Sequence, residues 1–188
     1  MAIIANNEKR EFEKAPTGMQ QAVCVFVHDI GYQRGSWAGQ EIIQHKVIFT
    51  WELAETMRTG DMVGKRFMVS KYYTNSLNEK ANLRKDLESW RGKPFTEDEV
   101  TAGVDLESVI GVNCYLNINA TEKDKRKIVA VVPLPRSVQP IAPVATTPSE
   151  KFAQWIAGER AKAVDPSEPA KTKAEEDIID LKERLKRI

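Results

Sequence analysis

The sequence is poor in the residues from which catalytic and metal centres are built. Its 188 residues include two cysteines, Cys24 and Cys114, and two histidines, His28 and His45. Two thiols fit a reducing compartment, where they stay unpaired. Two histidines on neighbouring predicted strands are a weak metal signal. The chain lacks a glycine–lysine phosphate cradle and a nucleophile elbow. The acidic run Glu97-Asp98-Glu99 is consecutive and opens a predicted helix, so it reads as a solvated helix start and not as a nuclease centre. No enzyme activity and no cofactor are expected. No run of about 18 apolar residues is present, so no membrane span is expected. The start, "MAIIANNEKREFEKAPTG", has no charged-then-apolar leader layout, and a cytosolic protein is expected. Repeats of the solenoid kind are also absent.

What is there is enough for one domain with appendages: 41% of residues are apolar and 29% charged. The net charge of +1 hides an uneven distribution. Nine basic and four acidic residues lie between Arg58 and Lys93; one basic and seven acidic follow between Pro94 and Asp124. This is not the charge of a bulk polyanion binder, but a local positive face is compatible with it.

The apolar pattern predicts strands over 19–33, 41–53, 65–77, 113–120 and 127–135. In the first, Val23, Val25 and Val27 are expected on one face and Cys24, Phe26 and His28 on the other. In the second, Val47, Phe49, Trp51 and Leu53 should face a core. In the third, Phe67 and Val69 oppose Arg66, Met68, Ser70 and Tyr72. "GYQRGSWAGQ" reads as a glycine-rich hairpin loop, and "TEKDKRK" as a charged one.

Between the third and fourth strands stands "NLRKDLESWRGKPFT". Leu83, Leu87 and Trp90 form one helical stripe. Ser76-Leu-Asn-Glu79 reads as a capping box opening this helix, and Gly92 with Pro94 ends it. Thr96–Glu99 is a second capping box, and Asp105–Gly111 a further short capped helix. The order β-β-β-α-β-β is that of the OB-fold, a five-stranded Greek-key barrel whose inserted helix plugs one end. An open α+β sandwich has the same pattern. Residues 1–17 read as a flexible arm, 18–135 as the OB-fold domain, 136–149 as a proline-rich linker and 150–188 as a helical C-terminal tail. In the tail, Phe152, Trp155 and Ile156 mark one short helix. Ile178, Leu181, Leu185 and Ile188 stripe a second, too short for a solitary coiled coil.

"HKVIFTWEL", "VSKYYTNSLNEKANLRKDLESWRGKPFT" and "DLESVIGVNCYLNI", followed by "PLP", resemble a family of small bacteriophage proteins encoded among replication and recombination genes. The family is taken to consist of OB-fold, single-stranded-DNA-binding proteins. The resemblance spans roughly residues 18–135 and is densest from Tyr73 to Thr96. It implies a phage protein acting on single-stranded DNA in the cytoplasm of the bacterial host. Two departures stand out. Ile48 occupies a position that is often basic in relatives, and the "TEKDKRK" hairpin is unusually charged.

Single strands bind to such barrels by stacking bases on aromatics and tracking phosphates with lysine and arginine. The outward set of strands one to three is Phe26, His28, Lys46, Arg66, Ser70 and Tyr72, with Lys71 beside it. Tyr32, Arg34 and Trp37 lie in the first hairpin, with Trp37 as a candidate stacking finger. Lys125 and Arg126, in the last hairpin, are candidate backbone clamps. The alternative is that Phe26 and Tyr72 pack against the arm or the tail, and that Trp37 folds back as a lid. The tail helices are candidates for binding a phage or host replication or recombination protein, or for forming a homo-oligomer. The chain ends in the basic "KERLKRI", unlike the acidic tips with which bacterial single-strand binders often recruit partners. An interaction or assembly module is the competing functional reading.

Overall fold

The computed structural model describes residues 13–167 and is mainly β. Five antiparallel strands form one sheet in the order β3-β2-β1-β4-β5. The long central β1 (Gly18–Trp37) pairs with β2 (Gln40–Thr56), which pairs with β3 (Arg66–Thr74). The first residues of β1 also pair with β4 (Asn113–Ala120), which pairs with β5 (Arg126–Pro133). Helices α1 (Asn82–Arg91) and α2 (Glu97–Ala102) and a 3-10 turn at Leu106–Val109 separate β3 from β4, and α3 (Glu150–Arg160) follows β5. The second tail helix expected over 174–188, and most of the N-terminal arm, lie outside the described residues.

The sheet does not close into the expected barrel. No hydrogen-bond ladder joins β3 to β5. A slot of about 400 Å³ lies between them, lined by Met68, Val69, Ile118 and Ile128. Residues from the predicted arm stand in it instead of a strand contact. Lys14 and Ala15 line the slot, and Ala15 is only 8% exposed. Arg126 Nε donates to the Ala15 carbonyl at 2.6 Å. The Glu13 carboxylate accepts the backbone N–H groups of Arg58 and Thr59 at 2.6 and 2.8 Å.

One core fills the inner face. Val47, Phe49, Trp51 and Leu53 enter it from β2, as their alternation predicts, and Leu83, Leu87 and Trp90 enter from α1. Trp90 Nε1 donates to the Asn113 carbonyl at 3.0 Å, fixing α1 to the start of β4. Gly92 closes α1 at φ 72°, the left-handed geometry that favours glycine. The expected start of this helix is wrong. Ala81 caps it, without a side-chain bond. Ser76 and Asn78 instead accept the N–H groups of Asn78 and Lys80 at 3.2 and 3.0 Å, building a turn ahead of it. The box at Thr96–Glu99 does form.

The expected faces of β1 also need correction. A bulge between Cys24 and Phe26 inserts one residue into the pairing. Ala22 and Cys24 therefore face the core, whereas Val23, Val25 and Phe26 form a cluster on the outer face. Beyond a second shift, between Asp29 and Tyr32, the predicted glycine-rich loop is not a loop. β1 and β2 stay paired from Tyr32↔His45 to Trp37↔Gln40, making a two-stranded arm. Its turn, Ala38-Gly39, has φ of 51° and 80°. Positive φ at both residues matches the twist of the flanking strands.

The outer face is covered by the chain that follows β5. Residues 136–138 form a turn, the Val138 N–H donating to the Pro135 carbonyl at 2.9 Å, and residues 139–149 carry no helix or strand; the segment is held by side chains of the sheet. Asn113 bonds both the carbonyl and the N–H of Ile141, at 3.0 and 2.9 Å. Glu52 is 2% exposed; its carboxylate accepts the N–H of Val144 at 3.1 Å and of Ala145 at 2.7 Å, and receives Arg66 at 2.9 Å. Helix α3, capped by Ser149, then lies on β1.

Candidate nucleic-acid interface

A polar groove of about 520 Å³ opens beside the tip of the β1–β2 arm. The arm brings Trp37, Gln44 and Lys46 to it, β3 brings Tyr72 and Thr74, and the turn before α1 brings Lys80. Trp37 is 73% exposed on its strand end, with no core contact to hold it back. Tyr72 is half exposed. Desolvation, and then the Glu159 carboxylate that its hydroxyl meets, push its phenol up to about 12. Lys46 Nζ donates to Gln44 Oε1 at 2.6 Å and Thr74 Oγ1 at 2.8 Å. Both acceptors are neutral, so the ammonium is positioned but not neutralised. Partial burial lowers its pKa. The groove thus offers two aromatic faces and two cations within one opening.

Three of the predicted residues, Trp37, Lys46 and Tyr72, meet there. The others do not. Phe26 is buried, and His28 stacks beside it at 5.8 Å with its Nε2 buried and without a partner among the described residues. Tyr32 stacks on His45 at 4.9 Å, and His45 Nε2 bonds Asp29 Oδ1 at 2.7 Å, so the two histidines serve separate clusters. Arg34 pairs with Glu41 at 2.6 Å. Arg66 is held by Glu52 and by the Ala142 carbonyl at 2.8 Å. Lys71 and the Tyr73 hydroxyl both donate to Asp86 Oδ2, each at 2.6 Å. Lys125 and Arg126 line the β3–β5 slot and not the groove, with Arg126 paired to Asp124 at 2.7 Å. Cys24 and Cys114 are both buried free thiols. Burial pushes Cys24 up to about 12, and Cys114 is raised by the same cause.

The sequence reading missed Gln44, Thr74 and Lys80. Gln44 and Thr74 place Lys46, and only strand pairing reveals that they flank it. Lys80 sits in a stretch read as helix, and the shortened α1 leaves it at the rim. A second cavity, of about 450 Å³ between α1 and the 3-10 turn, is apolar: Leu87, Trp90, Phe95, Val104, Val109 and Val112 line it. At its rim Arg91 forms an ion pair with Glu99 at 2.7 Å, so it offers little to a phosphate.

No family model, curated protein or solved structure matches the chain. Among the described residues no helix is long and apolar enough to cross a membrane.

Proposed function

We propose that the protein is a non-enzymatic binder of single-stranded DNA that uses the groove at the end of the β1–β2 arm. The observation that carries this reading is the convergence of Trp37, Lys46, Tyr72 and Lys80, from β1, β2, β3 and the turn before α1, on one open polar groove. Aromatic faces accept bases of any identity and lysines accept phosphates, so little sequence preference follows. The strand order, with β1 shared by a β1-β2-β3 and a β1-β4-β5 arm, supports reading the sheet as an OB barrel left open between β3 and β5. The position of α1, between β3 and β4 and sealing the core, supports it too. The resemblance to phage proteins supports phage DNA replication or recombination in the host cytoplasm as the setting of the proposed activity.

The test is tryptophan fluorescence during titration with an oligo-thymidine strand, at low and moderate salt, with a duplex of equal length as control. Trp51 and Trp90 are buried, so the signal comes from Trp37 and Trp155, which are 73% and 36% exposed. Quenching by the single strand alone, weakened in Trp37→Ala, is expected. No response to either DNA at low salt rejects the reading. A competing reading is a protein-interaction module, favoured by the cover that α3 places over the sheet; salt-insensitive self-association would support it.

A further inference from the structure

Beside the groove, and continuous with it through Tyr72, lies a row of aromatic side chains that already has an occupant. Phe26 and His28 project from one face of β1 with their rings stacked at 5.8 Å and 16°. Phe152 of α3 sits against both, at 5.8 and 5.7 Å. Trp155 meets Tyr72 edge-on at 6.1 Å, and lies 5.3 Å from Phe152. Ile156 fills the gap between Ile30 and Ile48.

The polar ties of this cover run mostly to main-chain atoms, with one side-chain contact between the Tyr72 hydroxyl and the Glu159 carboxylate. Arg160 Nε donates to the Asp29 carbonyl at 2.8 Å. Gln33 donates to the Glu159 carbonyl at 3.0 Å, and the Val164 N–H to the Tyr32 carbonyl at 2.8 Å. Upstream, Glu52 and Asn113 hold the segment before α3. The cover is also thin: α3 is a helix of 11 residues with a single fully buried side chain, Ile156. A short helix with one fully buried side chain opens at lower free energy than the sheet beneath it. The fit leaves one fault, because His28 Nε2 is buried beneath α3 with no partner among the described residues. An unpaired polar atom opposes docking and is relieved when α3 lifts.

We infer that the outer face of β1 and β3, centred on Phe26, His28 and Tyr72, is a second base-stacking surface for single-stranded nucleic acid, and that residues 136–164 are its internal competitor. The inference rests on the reading of the neighbouring groove as a single-strand site. Phe152 and Trp155 hold the positions that two successive bases take when a strand leaves the groove along β3 and β1. A strand long enough to pass Tyr72 displaces α3; one confined to the groove leaves it seated. The competition is by stacking and not by charge, since residues 136–164 carry four basic and two acidic side chains.

The test has two arms, both with fluorescently labelled oligo-thymidine of short and long length. The first compares the full chain with the Phe152→Ala/Ile156→Ala variant by anisotropy. The second follows hydrogen exchange of the α3 amides and of Val144 and Ala145 in the unaltered chain, with and without oligonucleotide. If the face is open in only a tenth of molecules, the variant should bind the long strand about tenfold more tightly, and the short strand equally. The long strand should also remove exchange protection from α3. Protection retained in the bound full chain overturns the inference while leaving the groove reading intact, and so does a variant that gains nothing for the long strand. Absence of binding by both proteins overturns the two together. Should the variant fail to fold, the exchange arm decides alone.

Discussion

At the residue scale the proposal turns on Trp37. Its side chain is exposed at the end of a two-stranded arm and contributes nothing to the core, so Trp37→Ala should leave the midpoint of urea unfolding unchanged. It should weaken oligo-thymidine binding by about 1–3 kcal/mol, the worth of one stacked base. Unaltered affinity, read by anisotropy, would remove Trp37 from the site. His28 gives a prediction about pH. Burial lowers its pKa, Arg160 on α3 lowers it further, and Glu107 on the 3-10 turn raises it. The docked state therefore favours the neutral imidazole, while the lifted state titrates near the ordinary value of about 6.5. Docking of α3 is at full strength above that pH and weakens as pH falls through it, because the lifted state binds the proton more tightly. Exchange of the α3 amides, corrected for intrinsic rates, should accelerate between about pH 7.5 and 5.5. His28→Leu should abolish the acceleration; persistence in that variant would assign it to another group. The outward placement of Phe26 and His28 was legible in the alternation of β1. Their cover was not, because a strand's period tells which face a residue takes and nothing of what lies on that face.

At the element scale, α1 shows both what pattern can reveal and where it stops. Leu83, Leu87 and Trp90 lie at helical spacing and are all buried, and Gly92 ends the helix. Leu83→Ala should cost about 2–5 kcal/mol in urea unfolding, from lost burial and the cavity left behind. Exposed Lys85→Ala should stay within about 0.5 kcal/mol. Equal effects would mean that α1 does not seal the core. The start of α1 was misread because Ser-x-x-Glu has two uses. Asn78 accepts the Lys80 N–H two residues on, and this local turn competes with the helix for the same backbone. The bulge in β1 was illegible for a related reason. One inserted residue brings Cys24 to the core face beside Val27 and turns Val23 and Val25 outward, and no residue type in "AVCVFVH" announces it. The glycine-rich "GYQRGSWAGQ" was read as a loop from composition, yet pairing with β2 keeps it in the sheet as far as Trp37.

At the scale of the whole molecule, charge gives the last prediction. The chain has 28 lysines and arginines, yet few are placed to meet a strand in the groove uncompensated. Arg66, Lys71 and Arg126 are paired with Glu52, Asp86 and Asp124, so a phosphate reaching them displaces a carboxylate and releases no counterion. Lys46 is tied to neutral partners, and Lys80 is exposed at the rim. Two phosphate contacts give a plot of log affinity against log salt with a slope of about −1.4, at roughly −0.7 per contact for single strands. Lifting α3 exposes Phe26 and His28 but leaves Arg66 beside Glu52. The Phe152→Ala/Ile156→Ala variant should therefore give a line parallel to that of the full chain and displaced to tighter binding. Anisotropy titrations between about 50 and 200 mM salt measure both lines. A steeper line for the variant would show that the segment after β5 hides cations and not stacking surface. A full-chain slope beyond about −3 would place the strand on more cations than the groove provides and move the site toward the lysines of the β4–β5 hairpin.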